Sequence, residues 1–218
     1  MRSKRALLKC LRVYPVLDSS LFPDEKLFAK KFLELLESPV DAIQLRVENF
    51  DSSSFFAGMR DLVAAAWKNG VPVIINDRVE AALILGASGV HLGKADIPVH
   101  VARKILGPHR VIGRTIRNRR DLLSLKNEDV DYVSIGPVFG TPIKKELGKI
   151  PIDVVREVSR LSAKPVVAIG GINAGNVRKV MDAGVQAVAF MRYGITAKDT
   201  VKAITELRRI VEERAQVR

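Results

Sequence analysis

Asp77 and Asp96 stand at equivalent places in this chain, each just beyond a short apolar run. Val71 to Ile75 is apolar and rich in β-branched residues, as in a strand buried on both faces, and it ends at Asn76-Asp77. Gly89 to Leu92 repeats the pattern, with Asp96 four residues beyond. A single aspartate after a strand is ordinarily a helix cap or a turn residue. A repeated one implies more, because the strands of a parallel α/β protein open at their carboxyl ends onto a common site. Two carboxylates and the Asn76 amide oxygen suit Mg²⁺, a hard cation that keeps several waters and takes its other ligands from substrate phosphate.

A second candidate is the run Ala168-Ile169-Gly170-Gly171-Ile172-Asn173, which sets two glycines where an apolar run meets a helix pattern. There the backbone can approach a ligand closely and turn N–H groups toward an anion. The same pair also suits a plain tight turn, so its place in the fold must decide.

These residues need a frame that gathers them. Eight short apolar runs recur along the chain: Val13 to Leu17, Ala42 to Arg46, Pro72 to Asn76, Gly89 to Leu92, Val111 to Thr115, Tyr132 to Gly136, Val166 to Gly170 and Ala187 to Met191. Between them lie stretches with apolar residues three and four apart, such as Phe28, Phe32, Leu35 and Leu36, or Val201, Ile204, Leu207, Ile210 and Val211. Strand and helix patterns in alternation predict a parallel sheet, and eight such units in 218 residues predict a single (β/α)8 TIM barrel rather than an open sheet. Residues 1–218 then form one domain, with 1–12 as a basic N-terminal extension. Gly170 and Gly171 fall after the seventh strand, where barrels often hold phosphate.

The formal charge of +12 invites a nucleic-acid reading, but the basic residues are scattered over helix exteriors. Arg208, Arg209, Glu212, Glu213 and Arg214 are spaced to pair on a solvated face, and no basic stripe carries the aromatics that single strands stack on. No apolar run approaches the roughly 20 residues of a membrane span. The expectation is a cytoplasmic protein whose partners are small phosphorylated molecules, with neither nucleic acid nor membrane among them; a homo-oligomer is compatible with it. Cys10, the single cysteine, reads as a structural thiol.

With the motifs placed, the chain resembles the thiamine-phosphate synthase family from about Tyr14 to Ile195, most specifically in Ile74 to Gly93, Asp131 to Lys145 and Pro165 to Asn173. The resemblance implies a (β/α)8 transferase joining hydroxymethylpyrimidine pyrophosphate to thiazole phosphate, with release of pyrophosphate. It makes Asp77 and Asp96 ligands of Mg²⁺ and puts Gln44, Arg46 and Asn76 on the pyrimidine pyrophosphate. It assigns Thr115, where a serine is usual, and Lys144 to phosphate oxygens; Arg46, Thr115 and Lys144 become the groups that assist catalysis. Thr141, Gly170 and Gly171 fall on the thiazole-phosphate side, joined by Met191 and Arg192 after strand eight. Gln44 and Arg46 alternate, so both project to one face, where an amide can read a heterocycle and a guanidinium can fork onto phosphate.

The chain also departs from that pattern. Glu48 replaces a phosphate-binding lysine and Ile143 replaces a threonine of the loop after strand six. One charge pair at about 4 Å in an effective dielectric near 20 is worth roughly 4 kcal/mol, so Glu48 is expected to point away from phosphate or to meet a cation. Lys94 is a candidate replacement charge. These departures keep open a diverged, non-catalytic phosphate binder on the same barrel. The related thiazole tautomerase relies on a histidine after strand five, where this chain has Arg117. His91, His100 and His109 are expected in packing or surface roles.

Overall fold

The structure, a computed structural model, describes residues 4–48, 53–140 and 148–216. All eight apolar runs form strands: β1 (Val13–Asp18), β2 (Ile43–Arg46), β3 (Val73–Asn76), β4 (Gly89–Leu92), β5 (Val111–Ile116), β6 (Tyr132–Ile135), β7 (Val166–Ile169) and β8 (Ala187–Phe190). They pair in parallel in chain order and close on themselves, β8 lying beside β1 with Tyr14 opposite Ala189. Closure leaves no sheet edge exposed. It also divides every strand into residues that point into the barrel and residues that point out to the helices.

The outward set packs against helices whose apolar faces follow the predicted spacing. On α2 (Glu25–Leu36), Phe28, Phe32 and Leu35 are fully buried. The helix starts where Asp24 accepts a hydrogen bond from the Leu27 amide at 2.8 Å, a cap worth about 1 kcal/mol. On α9 (Thr200–Gln216), Ile204, Leu207 and Val211 are likewise buried, and Arg208 meets Glu212 at 2.7 Å on the outer face. The expected pairing of Arg209 with Glu213 is also present. Among the described residues no helix is long and apolar enough to cross a membrane.

The inward set makes a second, smaller core from Tyr14, Val16, Ala42, Ile74, Val111, Tyr132, Val167, Ala187 and Ala189. Gly113 is what admits the Tyr132 ring: a Cβ there would lie 2.1 Å from it. Residues read as a basic extension contribute to this core. They form α1 (Lys4–Cys10), and Leu7 with Leu11 packs into the inner cluster at the amino ends of the strands. Cys10, expected to be structural, is exposed at the end of α1.

Two buried acids fasten these amino ends. Asp41 accepts from the amides of Arg12 and Val13, both at 2.9 Å, and pairs with Arg208 at 2.9 Å. Asp131 accepts from the Ile112 amide at 2.8 Å and pairs with Arg103 at 2.7 Å and Lys4 at 2.6 Å. Each ties neighbouring strands to a helix, so the barrel's floor is charged yet fully partnered.

Candidate functional site

A cavity of about 500 Å³ opens at the carboxyl ends of the strands. Its wall is the continuation of the inward-facing set by one or two residues on each strand, so side chains from far apart in sequence converge there. Gln44 and Arg46 of β2, Asn76 and Asp77 at the end of β3, Asp96 after β4 and Thr115 of β5 line it, as do Gly170, Gly171, Met191 and Arg192. Glu48 lies just outside, on Arg46. Thr141, Ile143 and Lys144 lie outside the described residues.

Asp77 and Asp96 face one another across the rim and share a side-chain hydrogen bond. Asp96 is held by the Gly93 amide at 2.5 Å, and Asp77 accepts from Asn76 Nδ2 at 2.6 Å. Asp77 adopts a left-handed backbone, φ 62°, which costs energy in any residue with a Cβ. Its amide donates to the His91 carbonyl at 2.8 Å, which ties the turn to β4 and holds the conformation. Burial raises the Asp77 carboxyl to about 7, helped by the hydrogen bond and the charge of Asp96 and opposed by Arg46 and Asn76. Two carboxylates this close cannot both stay ionised without a cation. Such a strained, like-charged pair costs stability in the protein alone.

Arg46 stands beside this pair. It meets Asp18, a fully buried carboxylate at the end of β1, at 3.0 Å, and it also meets Glu48. Glu48 thus does find a cation, within its own strand-end turn. Lys94 does not reach it; the ammonium is committed to Asp121 at 2.8 Å on the rim. Arg117, two residues beyond Thr115, also lines the cavity and reaches the Gly136 carbonyl.

The glycines after β7 have positive φ, 103° at Gly170 and 64° at Gly171. The loop after β6 lies across them, Phe139 donating to the Gly170 carbonyl at 2.9 Å. A Cβ on Gly171 would sit 2.7 Å from the Gly140 carbonyl oxygen. Bare glycine backbone therefore serves two purposes here, seating the loop and leaving the cavity wall open.

Three wall residues, Tyr14, His91 and Ser134, and the buried Asp18 that holds Arg46 are not singled out as site residues by the sequence. His91 is buried, as expected, but its ring faces polar partners at the cavity floor, with Thr115 Oγ1 at 3.0 Å and Ser134 Oγ at 3.1 Å. Counting by twos would have found them. Tyr14 and Asp18 alternate with Val16, His91 sits between Gly89 and Gly93, and Ser134 lies two before Gly136.

Comparison with known proteins gives a consistent picture. A family model described as thiamine monophosphate synthase matches residues 13–193. The thiamine-phosphate synthase of Albidiferax ferrireducens is 35% identical over 209 residues, covering 94% of each chain. That of Pyrococcus abyssi is 34% identical over 203 residues, covering 93% of this chain and 96% of its own. Among solved structures, a thiamine phosphate pyrophosphorylase from Pyrococcus furiosus superposes with a TM-score of 0.85 at 32% identity, covering 95% of this chain and 98% of its own.

Proposed function

Since the chain belongs to the thiamine monophosphate synthase family, whose curated relatives are transferases, we propose that it acts as a thiamine-phosphate synthase on hydroxymethylpyrimidine pyrophosphate and thiazole phosphate. In this reaction the carbon–oxygen bond to pyrophosphate breaks, the bonding pair leaves with the pyrophosphate, and the thiazole nitrogen closes a new carbon–nitrogen bond. No side-chain nucleophile is needed. What the protein must supply is neutralisation of the departing anion and alignment of two substrates, the latter worth up to roughly 7–11 kcal/mol.

The observation that carries the reading is the Asp77–Asp96 pair at the mouth of the cavity. Its carboxylate oxygens and its like charge, only partly offset by Arg46, fit Mg²⁺, with the Asn76 amide beside Asp77 and remaining positions left to water and phosphate. When bound, Mg²⁺ supplies positive charge to the leaving pyrophosphate.

The chain's own groups do the rest. Gln44 presents an amide to the pyrimidine ring, and Arg46, steadied by Asp18, turns its guanidinium along the wall toward the pyrophosphate. Thr115 offers a hydroxyl to a phosphate oxygen. The backbone of Gly170 and Gly171, with Met191 and Arg192, forms the wall assigned to the thiazole phosphate, where Arg192 adds charge. Lys144, Thr141 and Ile143 enter this assignment through the family resemblance. A biosynthetic enzyme of this kind works in the cytoplasm, and that location is part of the proposal.

The direct test is to incubate purified protein with both substrates and Mg²⁺ and to assay thiamine phosphate and pyrophosphate together. Equimolar formation of the two is the expected result. A folded protein that binds both substrates and releases neither product would sink the reading.

A further inference from the structure

Beneath the cavity, six side chains from five strands form one unbroken series of hydrogen bonds. Gln44 Nε2 donates to the Tyr14 hydroxyl at 2.9 Å, the Tyr14 and Tyr132 hydroxyls meet at 3.0 Å, and Tyr132 meets His91 Nδ1 at 2.9 Å. On the other side of the imidazole, Nε2 meets Thr115 and Ser134, whose hydroxyl oxygens are 3.4 Å apart. Gln44, His91, Thr115 and Ser134 line the cavity; Tyr132 is buried below its floor and touches nothing in it.

Such a series has a direction. An amide N–H only donates, so Tyr14 accepts from Gln44, and the order that puts every proton of the series to use has Tyr14 donating to Tyr132. Tyr132 then gives its proton to His91 Nδ1. A neutral imidazole has one N–H, which is left on Nε2, and that group donates to Thr115 or Ser134. The accepting hydroxyl has its own proton to offer upward. Burial pushes both phenols well above their ordinary range, so each remains a one-proton link.

Building on the synthase reading, we infer that His91, Tyr132 and Tyr14 are positioning residues that couple the two ends of the pyrimidine pyrophosphate site. With Nε2 of Gln44 held by Tyr14, the amide keeps its oxygen as an acceptor for an N–H group carried on the heterocycle. With Nε2–H of His91 donated, Thr115 and Ser134 keep a donor for a phosphate oxygen. Reversing the chain changes both offers at once: the amide would turn its N–H groups to the ligand, and one of the two hydroxyls would spend its proton on His91 instead of offering it to an anion. One proton order therefore matches a ligand that is a donor at one end and an anionic acceptor at the other.

The tautomer of His91 tests the inference without turnover. His100 and His109 are both exposed, so H100Q/H109Q leaves one histidine for ¹⁵N-detected NMR. The expected spectrum is a predominant Nε2–H tautomer, collapsing to a mixture in Tyr132→Phe, which keeps the ring seated over Gly113 and removes only the link. A predominant Nδ1–H tautomer would overturn the inference, as would an Nε2–H tautomer unchanged by Tyr132→Phe. In the synthase assay, Tyr132→Phe and Tyr14→Phe should each lower kcat/KM for the pyrimidine pyrophosphate by about tenfold, the scale of one hydrogen bond, and leave KM for the thiazole phosphate unchanged. Equal losses for both substrates would mark a merely structural role and count against it. Absence of turnover in the unaltered protein would fall on the synthase reading, and the tautomer would still decide the chain.

Discussion

The barrel carries acids at both ends and treats them in opposite ways. At the amino ends of the strands, Asp41 and Asp131 are buried, and each is met by backbone N–H groups and by at least one cation. At the carboxyl ends, Asp77 and Asp96 are turned on each other, with a strained backbone beneath one of them. The same functional group is a rivet in one place and a socket in the other. What separates the roles is whether the native chain itself completes the carboxylate's partners. Where it does, removal leaves buried cations alone; where it does not, removal relieves repulsion.

The largest expected effect follows from the socket. Asp77→Ala or Asp96→Ala should lower turnover by at least about 10³-fold, the scale of several kcal/mol of lost charge stabilisation, while the melting temperature holds or rises. Chelation by EDTA should act alike. Near-normal turnover in both variants, or after chelation, would remove the metal from the account.

The converse experiment addresses the rivet. Asp131→Ala strips the partner from Arg103 and Lys4 and from the Ile112 amide, a loss of about 3–5 kcal/mol for a buried pair broken on one side. Urea unfolding reads the stability, and kcat of the folded fraction should stay unchanged. A kcat that falls together with stability would erase the distinction between the ends.

The two ends should also differ in their response to pH. Asp77 is raised in the folded protein, to about 7, so between the ordinary carboxylate value and about 7 the native state binds more protons than the unfolded one. Stability of the metal-free protein should therefore fall as pH rises through that window. Saturating Mg²⁺ should flatten the fall, because a cation stabilises the ionised pair. Asp77→Asn should abolish it. A melting temperature that climbs over the same window, with and without Mg²⁺, would contradict the pairing.

The smallest effect concerns the acid that belongs to neither class. Glu48 is half exposed and lies on Arg46, where it competes with an incoming anion. Glu48→Gln should lower KM for the pyrimidine pyrophosphate by about two- to fivefold, the value of an exposed ion pair, with little change in kcat. A rise in KM would mean that Glu48 orients Arg46 rather than opposing its ligand.

How much of this could be read in advance follows from what periodicity encodes. The eight strands were legible within a residue or so at each end because burial on both faces demands unbroken apolar runs. Asn76 and Asp77 were legible as the first polar pair after such a run, and Asp96 because it follows the next run by four residues. Gln44 and Arg46 followed from alternation. Tyr14, His91 and Ser134 obey the same alternation, yet they sit inside apolar runs and pass for core. Helix α1 was misjudged for a related reason: its charge suggests an extension, and only Leu7 and Leu11 reveal a buried face.

Local pattern sets the number of units, the sense of the sheet and the alternation of inward and outward residues, since these depend on neighbours one, two, three or four positions away. Partnership was decided only when the barrel closed. Tyr14 meets Tyr132 across 118 residues, and Arg46 meets Asp18 across 28. Nothing in a local pattern specifies which inward residue lies opposite which; strand stagger and curvature do. For that reason the pairing of Arg46 with Asp18, the His91 chain and the clash of Asp77 with Asp96 are properties of the closed barrel.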